Sequence, residues 1–182
     1  MAIVDVEHAR DLAAWSGRTL GATPWSTITQ ATIDAFADVT GDDHWIHVDA
    51  GRAAREMPGG CTIAHGLLLL SLIPTLQRQI FHVRRRGHGL NYGYDRVRFV
   101  RPVACDARVR LAQTLVEARP ADGGTRLTLD SEIELEGSDK PALVARGIIL
   151  IMHSERRERL AVHDSHPPAR RGAAAGAGAH LR

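Results

Sequence analysis

Apolar residues recur at helical spacing early in the chain and at strand spacing through its second half. Ile33, Phe36, Ala37 and Thr40 share one helical face, bracketed by Thr29, whose hydroxyl suits an N-cap, and by Gly41, which suits the left-handed residue that closes a helix. The spacing predicts a helix over roughly Thr29 to Thr40. A second run, His65 to Ile80, has leucines on every side, so it is predicted as a helix buried all round in the middle of the domain. Pro74 within it lacks a backbone N–H and is expected to kink the helix or end its first segment.

After the turn-like Gly87-His88-Gly89 the period falls to two. Leu127, Leu129, Ser131, Ile133 and Leu135 alternate with Arg126, Thr128, Asp130, Glu132 and Glu134, the pattern of a strand with one dry and one wet face. Similar alternation runs through Val97-Arg98-Phe99, Val109-Arg110-Leu111 and Leu143 to Met152, with Asp122-Gly123-Gly124 as a hairpin turn. A buried helix followed by consecutive antiparallel strands predicts an α+β layer in which the sheet curls round the helix.

Length and charge refine this picture. The 182 residues suit one domain with a tail. From Ser154 onward the composition turns charged, then Pro-rich at His166-Pro167-Pro168, then Ala/Gly-rich, so residues 1–153 are assigned to the domain and 154–182 to a disordered tail. From His153 to the end there are six Arg against Glu155, Glu158 and Asp164, about +3, which leaves the remainder near −1 of the formal +2. A near-neutral body with 4% aromatic residues gives no groove for a nucleic acid, and the run Arg84-Arg85-Arg86 is read as solvated surface. The longest apolar run, Leu67 to Ile73, is broken by Ser71 and is far short of a membrane span. The acidic start, Met1 to Glu7, lacks the pattern of a secretory signal, so a cytoplasmic location is expected. Cys61 and Cys105 are then reduced core thiols without zinc-site spacing.

The candidate chemistry lies directly after the first helix, in the predicted loop Thr40-Gly41-Asp42-Asp43-His44-Trp45-Ile46-His47-Val48-Asp49. A carboxylate and a neutral imidazole that reach one water can orient it, take a proton as it attacks and return a proton to the neighbouring carbon. That is hydration across an activated double bond. Downstream, Ile63-Ala64-His65-Gly66-Leu67 opens the buried helix, and the Gly66 N–H at its positive end is placed to stabilise a carbonyl oxygen that gains charge.

Gly41-Asp42, then His47 five places after Asp42, then His65-Gly66 leading into the central helix resembles the signature of the MaoC-like and (R)-specific enoyl-CoA hydratases. The family's Asn-Pro pair is replaced here by His44-Trp45, which is similar to a subgroup whose loop reads Gly-Asp-x-x-Trp-Ile-His-Val-Asp. The resemblance covers roughly Trp25 to Met152 and takes in Asn91-Tyr92-Gly93 and Val97 to Val103. It implies the hot-dog fold and reversible hydration of a trans-2-enoyl-CoA to a 3-hydroxyacyl-CoA. Asp42 and His47 are then the catalytic pair, and Gly66 the oxyanion donor. The acyl chain lies along the buried helix, and the pantetheine arm leaves near Asn91 or Phe99. Coenzyme A, or acyl carrier protein, is part of the substrate, no cofactor is needed, and a homodimer is implied.

Blander roles weigh against several neighbours. Asp43 and His44 are read as polar groups facing water, and His65 as a structural partner of a backbone carbonyl that also borders the substrate site. Ser71 lacks the strained elbow of a nucleophile and is read as a core polar residue able to orient a catalytic side chain. His44 and His47 share no defined face, so no metal is assigned to Asp42, His44, His47 and His65. Two other functions fit the same fold: an acyl-CoA thioesterase, whose water attacks the thioester carbonyl, and a non-catalytic acyl-CoA-binding module.

Overall fold

The alternation predicted for the second half of the chain becomes four long strands, and these carry the domain. The computed structural model describes residues 3–154; the region assigned to a tail beyond Ser154 lies outside the described residues. Strands β1 (Val4–His8), β2 (Arg18–Ala22), β3 (Ser26–Thr27) and β4 (Phe81–Arg85) are short, whereas β5 (Gly89–Phe99), β6 (Arg108–Ala121), β7 (Gly124–Leu135) and β8 (Leu143–Met152) are long. The main sheet is antiparallel in the order β2-β6-β7-β8-β5, with β3 also on β6. β1 and β4 form a separate parallel pair.

Side chains of β7 sort as the alternation requires: Leu127, Leu129, Ser131 and Ile133 are buried, and Leu135 is half-buried. On β6 the inward set is Val109, Leu111, Gln113 and Leu115. The two strands meet at a tight hairpin in which Ala121 pairs with Gly124 and Gly123 takes the left-handed conformation (φ 64°) that the turn demands.

Helix α1 (Gln30–Thr40) is capped as the sequence predicts. Thr29 Oγ1 accepts from the Thr32 N–H at 3.3 Å, and Gly41, at φ 76°, closes the helix with its N–H on the Ala37 carbonyl. Two short helices follow, α2 (Trp45–Val48) and α3 (Ala50–Glu56). The central helix α4 (Gly66–Gln77) packs Leu68, Leu69, Ile73 and Leu76 against the concave face of the sheet. Each such side chain contributes about 1.5–3 kcal/mol by leaving water. This is the hot-dog arrangement, a sheet rolled round one helix.

Two expectations for α4 are corrected. The helix runs through Pro74 without ending there. Packing of its four apolar anchors outweighs the one backbone bond, to the Leu70 carbonyl, that proline cannot make. Nor is α4 buried all round, because the chain supplies sheet to only one side of it. Leu67 is 57% exposed, and Ser71 and Pro74 also face outward. The run Arg84-Arg85 is surface, as expected, and its charges are matched across β1: Arg84 pairs with Asp5 and Arg85 with Glu7. Both cysteines are free but half-buried rather than core, and burial pushes the Cys105 thiol up, with the neighbouring Asp106 adding to it. Among the described residues, no helix is long and apolar enough to cross a membrane.

Candidate functional site

The left-handed turn at Gly41 throws the chain off α1 and back across the start of α4. One turn later it forms α2, so His47 stands on a four-residue helix rather than on the irregular loop expected. Four residues are too few to leave a period in the sequence. Gln30 of α1 donates through Nε2 to the His47 carbonyl at 2.8 Å, and Gln30 Oε1 accepts from the Thr62 hydroxyl. α2 is thereby tied at once to α1 and to the segment that leads into α4.

That segment is itself pinned on both sides. The Ile63 N–H donates to the Ile46 carbonyl at 3.0 Å, and the Ala64 N–H to the Val103 carbonyl at 2.8 Å. The Ile63 carbonyl accepts from His47 Nδ1 at 2.7 Å. Because a carbonyl can only accept, Nδ1 carries the proton, and neutral His47 presents a lone pair at Nε2. Burial pushes the His47 pKa below its usual value of 6.5, and the neighbouring His65 and His44 add to that. The Ile63 hydrogen bond and the Asp42 carboxylate act in the opposite direction.

His65, the last residue before α4, is 2% exposed and donates through Nε2 to the Asp42 backbone carbonyl at 2.8 Å. Its ring stacks on that of His47, with centroids 3.7 Å apart, and tilts against Phe36 of α1. The backbone-partner role expected for His65 is the one observed. Its Nδ1 has no hydrogen-bond partner. The Asp42 carboxyl is 55% exposed, 4.0 Å from His65 Nε2 at its nearer oxygen. One polar atom each of Asp42, His47 and His65 falls within 4.8 Å of the others. Two groups at such a separation can both hydrogen-bond one water, since each bond spans about 2.7–3.2 Å. The same three residues are donor types for a metal. Each ring spends one nitrogen on a backbone carbonyl, which leaves one nitrogen of each for a proton or a ligand.

These residues open into a pocket of about 350 Å³. Its floor is Asp42, His47 and His65, and its far wall is the Phe99 to Val103 segment with Ala142. Gly66 lies on its rim as the first residue of α4, where the N–H has no intrahelical partner. Of the residues singled out from the sequence, Asp42, His47, His65, Gly66 and Phe99 come together here. Ser71 and Asn91 do not. Five positions after Gly66, Ser71 is turned about 140° around the helix and spends its hydroxyl on the Leu67 carbonyl at 2.8 Å. Asn91 is eight residues before Phe99 on β5, roughly 27 Å along a strand, and donates to the Tyr94 hydroxyl at 3.3 Å. Asp43 and His44 face water as expected. Sequence reasoning missed the Gln30–Thr62 tie and the Ile63 carbonyl, and a backbone carbonyl leaves no mark in a sequence. Arg101, the pocket's one Lys or Arg, was legible only as part of a strand end.

Comparison with known proteins places this geometry among relatives. The sequence model of the MaoC like domain matches residues 11–134. Over 144 residues the chain is 46% identical to "3-hydroxyacyl-thioester dehydratase Z" of Mycobacterium tuberculosis (strain ATCC 25618 / H37Rv), covering 79% of this chain and 95% of that protein. It is 43% identical over 144 residues to "Nodulation protein N" of Rhizobium leguminosarum bv. viciae, covering 78% and 89%. Among solved structures, the (R)-hydratase from A. caviae involved in PHA biosynthesis superposes with a TM-score of 0.57 at 24% identity, covering 71% of this chain and 93% of that one, a likeness of fold.

Gly66 tolerates little change. A Cβ there meets the Phe99 ring at 2.8 Å. We predict that Gly66→Ala lowers the melting temperature and that Phe99→Ala in the same chain recovers part of the loss, the coupling expected of two groups in contact. Additive effects in thermal unfolding of the double variant would contradict the packing described.

Proposed function

Because the chain belongs to the MaoC-like domain family, we propose that it hydrates trans-2-enoyl thioesters reversibly to 3-hydroxyacyl thioesters, with coenzyme A or an acyl carrier as the thiol. The observation that carries this reading is the gathering of Asp42, His47 and His65, with one polar atom of each within 4.8 Å of the others, in the pocket that Gly66 also lines. The names of the mycobacterial and A. caviae relatives agree with it.

In this reading the thioester carbonyl faces the Gly66 N–H at the positive end of α4, which stabilises the enolate oxygen. Asp42 and His47 Nε2 orient the water so that its oxygen bonds to the β-carbon as one proton passes to the imidazole. The π electrons move to the α-carbon and carbonyl oxygen, and the imidazolium then delivers its proton to the α-carbon. Ile63 matters twice: its carbonyl fixes the tautomer that leaves Nε2 basic, and it steadies the cation between the two transfers. His65 holds the Asp42 backbone and backs the His47 ring. The pantetheine arm leaves past Phe99. The reading requires neither metal nor cofactor.

The full chain mixed with crotonyl-CoA should deplete the enone absorbance without releasing thiol. Asp42→Asn and His47→Gln should each cut turnover about a hundred- to ten-thousandfold while leaving the melting temperature nearly unchanged. Thiol release in step with the absorbance loss would instead establish a thioesterase. Tight acyl-CoA binding with no turnover would establish a binding module.

His47 must be neutral to accept a proton, and its pKa lies below 6.5. The group protonates as pH falls, so kcat/KM should be flat through neutrality and decline only on the acid side, below pH 6.5. A decline already under way at neutral pH would contradict the depressed pKa.

We also propose a homodimer built on the open face. Among the described residues β5 is the last strand of the sheet, with one edge unpaired, and Leu90, Tyr92 and Phe99 of β5, Val100 just after it and Leu67 of α4 stand exposed. Exposed apolar side chains at an open sheet edge are costly to leave in water. Light scattering should give twice the chain mass, and the mass of one chain would remove the proposal.

A further inference from the structure

A second pocket, of about 140 Å³, lies in the seam between the far end of α4 and strands β5, β7 and β8. Ile73 of α4, Leu129 of β7 and Gly147 of β8 line it and are buried, and the half-buried Ile149 and Tyr94 complete its apolar part. The polar groups at that depth are already engaged: Gln77 Oε1 and Ser131 Oγ accept from Gln113 Nε2, at 3.0 and 2.9 Å. The interior is therefore suited to hydrocarbon. An apolar cavity of about 150 Å³ takes a six-carbon ring, so this one has room for a chain end of roughly that many carbons.

The rim has the opposite character. Arg78, just after α4, and Arg86, just after β4, both line the pocket and are exposed. Neighbouring arginines sit against acids, Arg84 with Asp5 and Arg85 with Glu7. Among the described residues neither Arg78 nor Arg86 is so paired, and no Asp or Glu lines the pocket. Asn91 and Tyr94 are also lining residues; the Tyr94 hydroxyl accepts from Asn91 Nδ2 at 3.3 Å, which leaves its own hydrogen to donate. Two cations and a hydroxyl donor thus stand over an apolar interior. A plain hydrocarbon gains nothing from the cations, and an inorganic anion gains nothing from the interior. A carboxylate on a chain uses both, because its two oxygens match the fork of a guanidinium.

We propose that this pocket binds a carboxylate carried on a hydrocarbon chain, with the methylenes against Ile73, Leu129 and Ile149 and the carboxylate at Arg78 and Arg86. Two molecules present that group. One is a free fatty acid; the other is a dicarboxylic acyl chain whose thioester lies at Gly66, about 16 Å away along α4. Only the second rests on the function proposed above.

Calorimetry on the full chain tests this with carboxylates from butanoate to decanoate, and with octanol and inorganic phosphate as controls. Affinity should rise about fourfold per added methylene and level off once roughly six carbons are enclosed. Octanoate should exceed octanol by about tenfold, a margin that shrinks as salt is added. Arg78→Gln and Arg86→Gln, both changes of exposed side chains, should each remove most of that margin, whereas Arg101→Gln, at the other pocket, should not alter it. Equal affinity for octanol and octanoate would overturn the proposal. So would phosphate alone binding as tightly as octanoate, or a margin that follows Arg101 instead of Arg78 and Arg86. Turnover then separates the two sources. An ω-carboxylated hexadecenoyl-CoA that exceeds plain hexadecenoyl-CoA in kcat/KM, with the preference lost in Arg78→Gln, assigns the carboxylate to the substrate; equal turnover of the two assigns it to a free acid. Octanoate binding without any hydration of enoyl-CoA counts against the reaction and leaves the pocket established.

Discussion

Two backbone carbonyls hold this molecule's site together, and the rest of its chemistry depends on them. The Ile63 carbonyl takes the Nδ1 proton of His47, and the Asp42 carbonyl takes the Nε2 proton of His65. Each bond joins elements distant in the chain: the first ties α2 to the approach to α4, the second ties the turn after α1 to the residue before α4. The stacked rings close the loop between them. A hydrogen bond to a fixed carbonyl sets both the tautomer and the plane of an imidazole, which a solvent-facing side chain could not do. Asp42 is different in kind. Its backbone is held while its carboxyl stays half in solvent, free to adjust to a bound water or substrate.

The central helix organises space in the same way as the carbonyls organise protons. α4 begins at a glycine pressed against Phe99 and ends near a polar cluster under Gln77, with four apolar anchors between them. A helix is a ruler: each residue adds about 1.5 Å, so groups at its two ends are set apart by a fixed length that packing cannot easily change. Whatever occupies the seam between α4 and the strands β5 and β8 is measured by that ruler. Pro74 does not break the ruler, because Ile73 before it and Leu76 after it are buried in the core.

The legible part of this structure is the part governed by periodicity and local capping. The α1 caps at Thr29 and Gly41, the inward set of β7 and the hairpin at Gly123 were all readable, since each depends on residues a few positions apart. The meeting of Asp42, His47, His65 and Gly66 was readable only through a spacing shared with a family. What escaped were features that depend on partners distant in sequence. The parallel pair β1–β4 joins segments over seventy residues apart and is too short to show a period. Gln113 sits at a strand-inward position where its polarity looks like a break in the pattern, and only the fold shows that it donates to Ser131 on the neighbouring strand. All-round burial of α4 was inferred from its leucines, yet composition cannot tell a face turned to the chain's own sheet from one turned elsewhere.

Opposed influences act on His47, the base of the proposed reaction. Hydration needs a group that takes a proton from water and soon gives it up to carbon, so a strong base would stall at the second transfer and a weak one at the first. Burial disfavours the imidazolium, and His65 and His44 reinforce that. The Ile63 carbonyl and the Asp42 carboxylate favour it. The balance falls on the side of the neutral ring, while the two stabilising partners keep the cation within reach. His65 thereby has two opposite effects on the same neighbour: its ring helps keep His47 neutral, and its grip on the Asp42 backbone keeps near the carboxylate that tolerates the charge. In the proposed reaction, the buried stack is the means by which one histidine serves both transfers.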